Sequence, residues 1–187
     1  MAEPLVALVT AGSAGLGAAV ARRFAQDGMR VVVNYSNNAE RAEALVAELQ
    51  AVSSLARGEE RTDYCAIRAD LSRREDIQRL VEESVAAMGR LDAVFSNGGW
   101  TRLRDITNLD DNVDEDDWDR CFNMNVKSHL WLMHAAKKYL EETEGAFITT
   151  ASLAGVKVSG SSLASVLFKT SCFLRSARVR ELVRSSC

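Results

Sequence analysis

The amino-acid sequence predicts an α/β fold: a doubly wound parallel sheet of about five strands in the order 3-2-1-4-5, with helices on both faces. Three observations predict it. Short runs of apolar and β-branched residues alternate with helical patterns along the chain, as right-handed strand–helix–strand units require. The strand runs do not alternate in polarity, as in Arg30 to Asn34, Arg-Val-Val-Val-Asn, which marks strands buried on both faces. A glycine-rich turn, Thr10 to Gly17, joins the first strand to the first helix, the place where such sheets bind phosphates.

The elements follow in order. Leu5 to Thr10 reads as the first strand, and Ala18, Val20, Ala21 and Phe24 recur at helical spacing up to Gly28. Arg30 to Asn34 is the second strand. A helix then opens at Asn37, with Glu40 three residues on, and carries Ala42, Leu45, Val46 and Leu49 on one face. Ala51 to Asp63 is a polar connection, and Tyr64 to Arg68 is the third strand. Ser72 and Glu75 form a capping-box pattern ahead of Ile77, Leu80, Val81 and Val85. Leu91 to Phe95 is the fourth strand. Past an acidic stretch, Trp118, Phe122, Val126, Leu130 and Met133 repeat every three or four residues on a long helix reaching about Tyr139. Gly145 to Ser152 is the fifth strand. From Ser165 the alternation stops, and a basic, serine-rich tail follows in which Val166, Phe173, Leu174 and Leu182 could line one helix but no strand is visible. The expected organisation is a dinucleotide-binding domain over 1–164 and a divergent tail over 165–187.

A chain of 187 residues, 47% hydrophobic and 26% charged, buries one sizeable core. Its net charge of -3 gives no electrostatic reason to approach nucleic acid or an anionic membrane, so neither is expected as a partner. No apolar stretch reaches the roughly 20 residues of a membrane span, and no basic leader precedes the first apolar run. A cytoplasmic location is expected. Cys65, Cys121, Cys172 and Cys187 lack the close pairing of a zinc site and read as reduced thiols. His129 and His134, five apart, point away from each other on a helix, so no metal is expected.

The glycine turn carries the first chemistry. Without Cβ atoms the backbone turns sharply and lets a pyrophosphate approach the free N–H groups and positive dipole end of the helix. Thr10, Gly12, Gly15, Leu16 and Gly17 are its candidate cofactor-binding residues. An acid at the end of the second strand would bond the ribose hydroxyls of NAD. Asn34-Tyr35-Ser36 stands there instead. Nothing in it repels a 2′-phosphate, and Asn34 and Ser36 can donate hydrogen bonds, so NADP is favoured over NAD. Arg41 is the nearest arginine in sequence.

Further along come Asp70 after the third strand, Ser96-Asn97-Gly98-Gly99 after the fourth, Asn125 in the long helix, and Ser152-Leu-Ala-Gly155 after the fifth. Taken with the glycine turn, and in this order from about residue 5 to residue 164, they resemble the short-chain dehydrogenase/reductase family. The resemblance implies that Asp70 bonds the adenine ring, Asn97 sits beside the adenosine ribose and braces the central strands, and Asn125 holds a catalytic water. It further implies that Ser152 orients a substrate carbonyl and Lys169 anchors the nicotinamide ribose. Local readings stand beside these: Asp70 can start the next helix, and Asn125 can be a buried polar residue at a helix irregularity.

Three departures from that pattern stand out. The family's first glycine is Ala11 here, a mild change beside Gly12. The family also places a tyrosine thirteen residues after the serine and four before the lysine, and Ser165 holds that position between Ser152 and Lys169. A serine hydroxyl is far less acidic than a phenol and shorter, so the general acid is lost. The two strands with which the family continues, and its Pro-Gly turn after the sixth, are not expected, Pro4 being the single proline.

The sequence therefore leaves three functions open. One is an NADP-dependent oxidoreductase interconverting ketone and alcohol, impaired by the serine. Another is an inactive dinucleotide-binding or dimerising module, for the family packs its long helices against symmetry mates. The last is a truncated or mis-spliced product of such a gene. A hydroxylated aromatic or polyketide-like ketone is the expected substrate, by similarity of Val-Val-Asn-Tyr-Ser to reductases of such compounds. The acidic stretch Asp105 to Asp117 is expected to be solvated rather than to bind a cation.

Overall fold

The computed structural model describes residues 3–55, 61–152, 162–165 and 177–178. β1 (Val6–Val9), β2 (Arg30–Tyr35), β3 (Tyr64–Arg68), β4 (Ala93–Ser96) and β5 (Ala146–Thr149) form a parallel sheet in the order β3-β2-β1-β4-β5. The crossovers run through α1 (Gly15–Gln26), α2 (Ala39–Val52), α3 (Arg74–Met88) and a long helix between β4 and β5. β1 is wholly buried, and its residues alternate between two cores. Leu8 joins Leu80, Val94, Leu132 and Leu140 beneath α3 and the long helix, while Val9 joins Ala21, Val33, Leu45 and Leu49 beneath α1 and α2. Unalternated apolar strands are what a sheet covered on both faces demands.

A sixth strand, β6 (Ala177–Arg178), pairs antiparallel with β5, Ala146 opposite Arg178 and Phe147 opposite Ala177. No strand was expected in the basic tail; two residues suffice to cover half of an edge that would otherwise present unpaired backbone groups. The expected tail helix around Val166, Phe173, Leu174 and Leu182 lies outside the described residues.

Two helix starts differ from expectation. α2 is capped by Asn38, which accepts the Arg41 N–H at 2.8 Å, one residue beyond Asn37. α3 begins at Arg74 without a side-chain cap. Its expected cap, Ser72, gives both its N–H (2.9 Å) and its hydroxyl (2.8 Å) to Asp70 Oδ1. A carboxylate two residues upstream out-competes the helix for that serine.

The long helix is three segments, α4 (Glu115–Phe122), a π turn (Asn123–Lys127) and α5 (Ser128–Thr143). The apolar stripe read from sequence is not the buried one: Phe122 is 39% and Leu130 61% exposed. Cys121, Asn125, His129, Leu132, Ala136 and Leu140 face inward instead. The π turn's i→i+5 bonding displaces the face by about one residue, and the inward face is too rich in polar and small side chains to show in hydropathy. The acidic stretch is likewise more than solvated. Arg104 gathers Asp117 (2.7 Å), Asp114 (3.1 Å) and Asp111 (3.3 Å) around its guanidinium.

Candidate cofactor site

The glycine turn, Asn34, Asp70 and Asn97 all lie at the C-terminal edge of the sheet, around the switch point between β1 and β4. The glycine turn leaves β1 there. Ala11 has φ +47° and Gly15 φ +53°. The turn is tied to β2 by Asn34, whose backbone oxygen accepts from Gly12 N at 2.8 Å and whose Oδ1 accepts from Ala11 N at 3.0 Å. A Cβ on Gly12 would lie 2.8 Å from the Val9 oxygen, and one on Gly17 2.5 Å from the Ala11 oxygen. Those two glycines serve close packing. A Cβ on Gly15 would meet nothing within 4 Å, so that position opens outward.

α1 then starts with no cap. Ala14 offers its first turn no side-chain acceptor, and no acid lies in that turn. Orphan N–H groups with a positive dipole end and open space before them suit an anion. Leu16, in the same turn, is 54% exposed. These features fit a dinucleotide pyrophosphate.

Asn34 departs from its expected role as a donor to the cofactor. It is 1% exposed, and its Nδ2 donates to the Ala69 oxygen at 3.1 Å. Its carboxamide is therefore used in bracing the glycine turn against β3. Ser36 and Asn37, just beyond, are exposed and line the cleft. Asp70 lines it too, with Oδ1 held by Ser72. Thr10 Oγ1 accepts from Asn97 N at 2.9 Å, and Asn97 Oδ1 accepts from Thr150 Oγ1 at 3.1 Å, so Asn97 braces β1, β4 and β5 together.

Asn125 lies inside the π turn, 3% exposed. Its Oδ1 accepts from Trp100 N (2.9 Å), and its Nδ2 donates to the Trp100 oxygen (2.8 Å) and to Cys121 Sγ (2.9 Å). Asp70 organises the turn before α3 without capping that helix, and Asn125, though placed at a helix irregularity, has its amide satisfied by Trp100 of the loop after β4 and by Cys121. The Asn125 side chain clamps the loop after β4, with Trp100 stacked under the Arg120 guanidinium at 4.7 Å. Beneath it, Ser96 Oγ bonds His129 Nδ1 in the interior, and burial lowers the His129 pKa to about 4.

The resulting cleft holds about 1000 Å³ and runs from Ala11 and Ser36 past Asp70 and Gly98 to Arg120 and Lys127. Ser152, just past β5, is partly buried, and Ser165 is 2% exposed with its N–H on Ser162 Oγ at 3.2 Å. Neither is in the cleft lining, and Lys169 lies outside the described residues. Sequence reading missed the Asn125–Trp100 clamp and the Ser96–His129 pair. Only the inward polar spacing of Asn125 and His129, four apart, hinted at them.

Comparison with known proteins decides the family. The family model for short chain dehydrogenases matches residues 5–164. The chain belongs to the short-chain dehydrogenase/reductase family. It is 37% identical over 150 residues to a short chain dehydrogenase/reductase of Aspergillus novofumigatus, covering 79% of this chain and 51% of that protein. It is 33% identical over 155 residues to the versicolorin reductase of Emericella nidulans, covering 81% and 53%. Among solved structures, a double mutant of a Serratia marcescens short-chain dehydrogenase/reductase superposes with a TM-score of 0.77 at 27% identity, covering 89% of this chain and 63% of that one. The chain spans about half the length of the curated relatives it matches.

Proposed function

We propose that this short-chain dehydrogenase/reductase binds NADP and belongs to an oxidoreductase that interconverts a ketone and an alcohol. The observation that carries the reading is the uncapped, acid-free start of α1 at Gly15, which follows a turn whose Ala11 lines a cleft of about 1000 Å³ together with the carboxylate-free end of β2. When bound, the nicotinamide supplies the hydride. In this reading the residues of the turn, Thr10, Gly12, Gly15, Leu16 and Gly17, hold the pyrophosphate, directly or by shaping the backbone. Ser36 meets the adenosine ribose, Asp70 the adenine, and Asn97 fixes the strand ends around them. Asn34 acts through the turn. Ser152 orients the substrate oxygen, Lys169 anchors the nicotinamide ribose, and Asn125 holds the β4 loop and a proton-carrying water.

A hydroxylated aromatic or polyketide-like ketone is the substrate class. The relatives named versicolorin reductase and, at 30% identity, hydroxynaphthalene reductase of Aspergillus fumigatus support it. Residues 1–164 form the dinucleotide-binding domain and 165–187 a divergent tail. Among the described residues no helix is long and apolar enough to cross a membrane, and a cytoplasmic enzyme is our reading. A second reading, a binding or dimerising module without chemistry, is favoured by the serine at position 165.

One set of three proteins tests both readings. NADPH titrated into the unmodified chain should quench its tryptophan fluorescence, and Gly15→Val, which strains a positive-φ site and fills the open space, should abolish the binding. Turnover of a ketone panel should be near zero, and Ser165→Tyr should raise it by about two to four orders of magnitude. NADPH binding that survives Gly15→Val sinks the site assignment; binding without turnover in either form leaves the non-catalytic module as the function.

A further inference from the structure

Position 165, where the family places its tyrosine, is 2% exposed and sits in a helical turn that opens at Leu163. The first N–H groups of such a turn have no partner within it. Ser162 takes one, its Oγ accepting from Ser165 N at 3.2 Å. Another is taken by a residue 51 positions away: Leu163 N donates to Asn112 Oδ1 at 3.0 Å.

Asn112 is itself firmly held. It is 5% exposed, at the end of a single 3-10 turn, Leu109–Asn112. Its Nδ2 donates to the Asp105 oxygen at 2.7 Å and to the Asn108 oxygen at 2.9 Å, and its backbone oxygen accepts from Trp118 Nε1 at 2.7 Å. Asp111 beside it accepts from Asp105 N at 2.7 Å and pairs with Arg104. Arg104 in turn is fixed on Asp114 and Asp117 at the start of α4, the helix that runs on into the π turn bearing Asn125. The two donor bonds of the Asn112 carboxamide close its own loop, and the acceptor bond is the one that leaves it. Residue 165 lies two residues past the anchored N–H, about 3 Å along the turn at the helical rise. A shift at the anchor therefore reaches position 165 almost undiminished, and misplacing a reacting group by about 1 Å costs about a hundredfold in rate.

We propose that Asn112 is a positioning residue: its Oδ1 fixes the turn at Leu163 and so holds the side chain at position 165 in register with Asn125, both being tied to α4. Asn112 is not among the described residues that line the cleft, and it acts only through position 165. This rests on the oxidoreductase reading above, in which a phenol at that position exchanges the proton of the ketone–alcohol step.

The test uses the full chain carrying Ser165→Tyr, to which Leu163→Pro, Leu163→Ala, Asn112→Ala and the pair Asn112→Ala/Leu163→Pro are added. Proline deletes the donated N–H yet is favoured at the first helical position, so the turn itself persists. Leu163→Ala trims the side chain and keeps the N–H. With a hydroxytetralone as the probe ketone, kcat should fall about ten- to a hundredfold in Leu163→Pro and in Asn112→Ala, and no further in the pair than in Asn112→Ala alone. Leu163→Ala should lose less than about threefold, and KM for NADPH should stay within about threefold throughout. Losses that multiply in the pair, or that fall equally on KM for NADPH, would overturn the positioning role. A second measurement needs no turnover. In Ser165→Cys, alkylation of position 165 by iodoacetamide, read by peptide mass spectrometry, should quicken at least about tenfold on adding Asn112→Ala or Leu163→Pro. An unchanged rate would overturn the proposal. A Ser165→Tyr protein that binds NADPH and reduces none of the ketone panel would instead overturn the oxidoreductase reading, and the alkylation rates would then decide whether Asn112 holds position 165.

Discussion

Ala11 holds a left-handed backbone conformation at φ +47° in the first turn after β1. An L residue with a Cβ is strained there by about 1–2 kcal/mol, and the family pattern places a glycine at this point. The turn keeps its shape because Asn34 over-determines it, accepting from the N–H groups of both Ala11 and Gly12. Ala11→Gly should relieve the strain, partly offset by the greater freedom of glycine in the unfolded chain, for a net gain of up to about 1 kcal/mol. A urea melt of the variant beside the unmodified chain measures it, and a loss of stability would show that Ala11 is relaxed. The polar residues gathered at this edge of the sheet were visible in the sequence, and the directions of their side chains were not. Asn34 was visible as a polar residue ending an apolar strand, but only the folding of β3 beside β2 turns its amide inward to Ala69 and away from a ligand. Arg68 reaches Ser36 from 32 positions away, a relation no local pattern encodes.

At the scale of elements, the strands were legible because both faces of each are buried, which leaves an unalternated β-branched run that few other contexts produce. Helix ends were less so. Asn37 and Asn38 are chemically equal caps, and only the backbone entering α2 selects the second. The long helix misled most, since its inner face carries Cys121, Asn125 and His129 while Phe122 and Leu130 lie outside. The resemblance that implies dimerisation through the long helices makes this exposed apolar stripe the expected contact. Leu130→Glu should then leave the monomer's melting temperature nearly unchanged, because the side chain is already 61% exposed, yet shift the species seen by sedimentation toward monomer. An unmodified chain that sediments as a monomer at tens of micromolar would remove the stripe as an interface.

At the scale of the whole molecule, one buried group couples stability to mild acid. His129 sits between α5 and the end of β4, bonded to Ser96, and burial lowers its pKa to about 4. The unfolded chain exposes the imidazole, which then protonates near its ordinary value of about 6.5. Below that pH the unfolded state binds the extra proton and the folded state does not, so stability rises with pH across the window. The contribution is complete above about pH 6.5 and is lost as pH falls toward 4, amounting to roughly 3 kcal/mol over the full span by the linkage relation. Carboxylates titrate mostly below pH 5, which leaves the upper part of the window to the histidine. Urea midpoints at pH 7.5, 6.0 and 5.0 should fall steadily in the unmodified chain. His129→Gln keeps an uncharged amide within reach of Ser96 but cannot titrate in this range, so its midpoints should stay flat between pH 6.5 and 5. Parallel pH profiles for the two proteins would mean that the imidazole is solvated in the folded state, and that β4 and α5 do not meet around a dry Ser96–His129 pair.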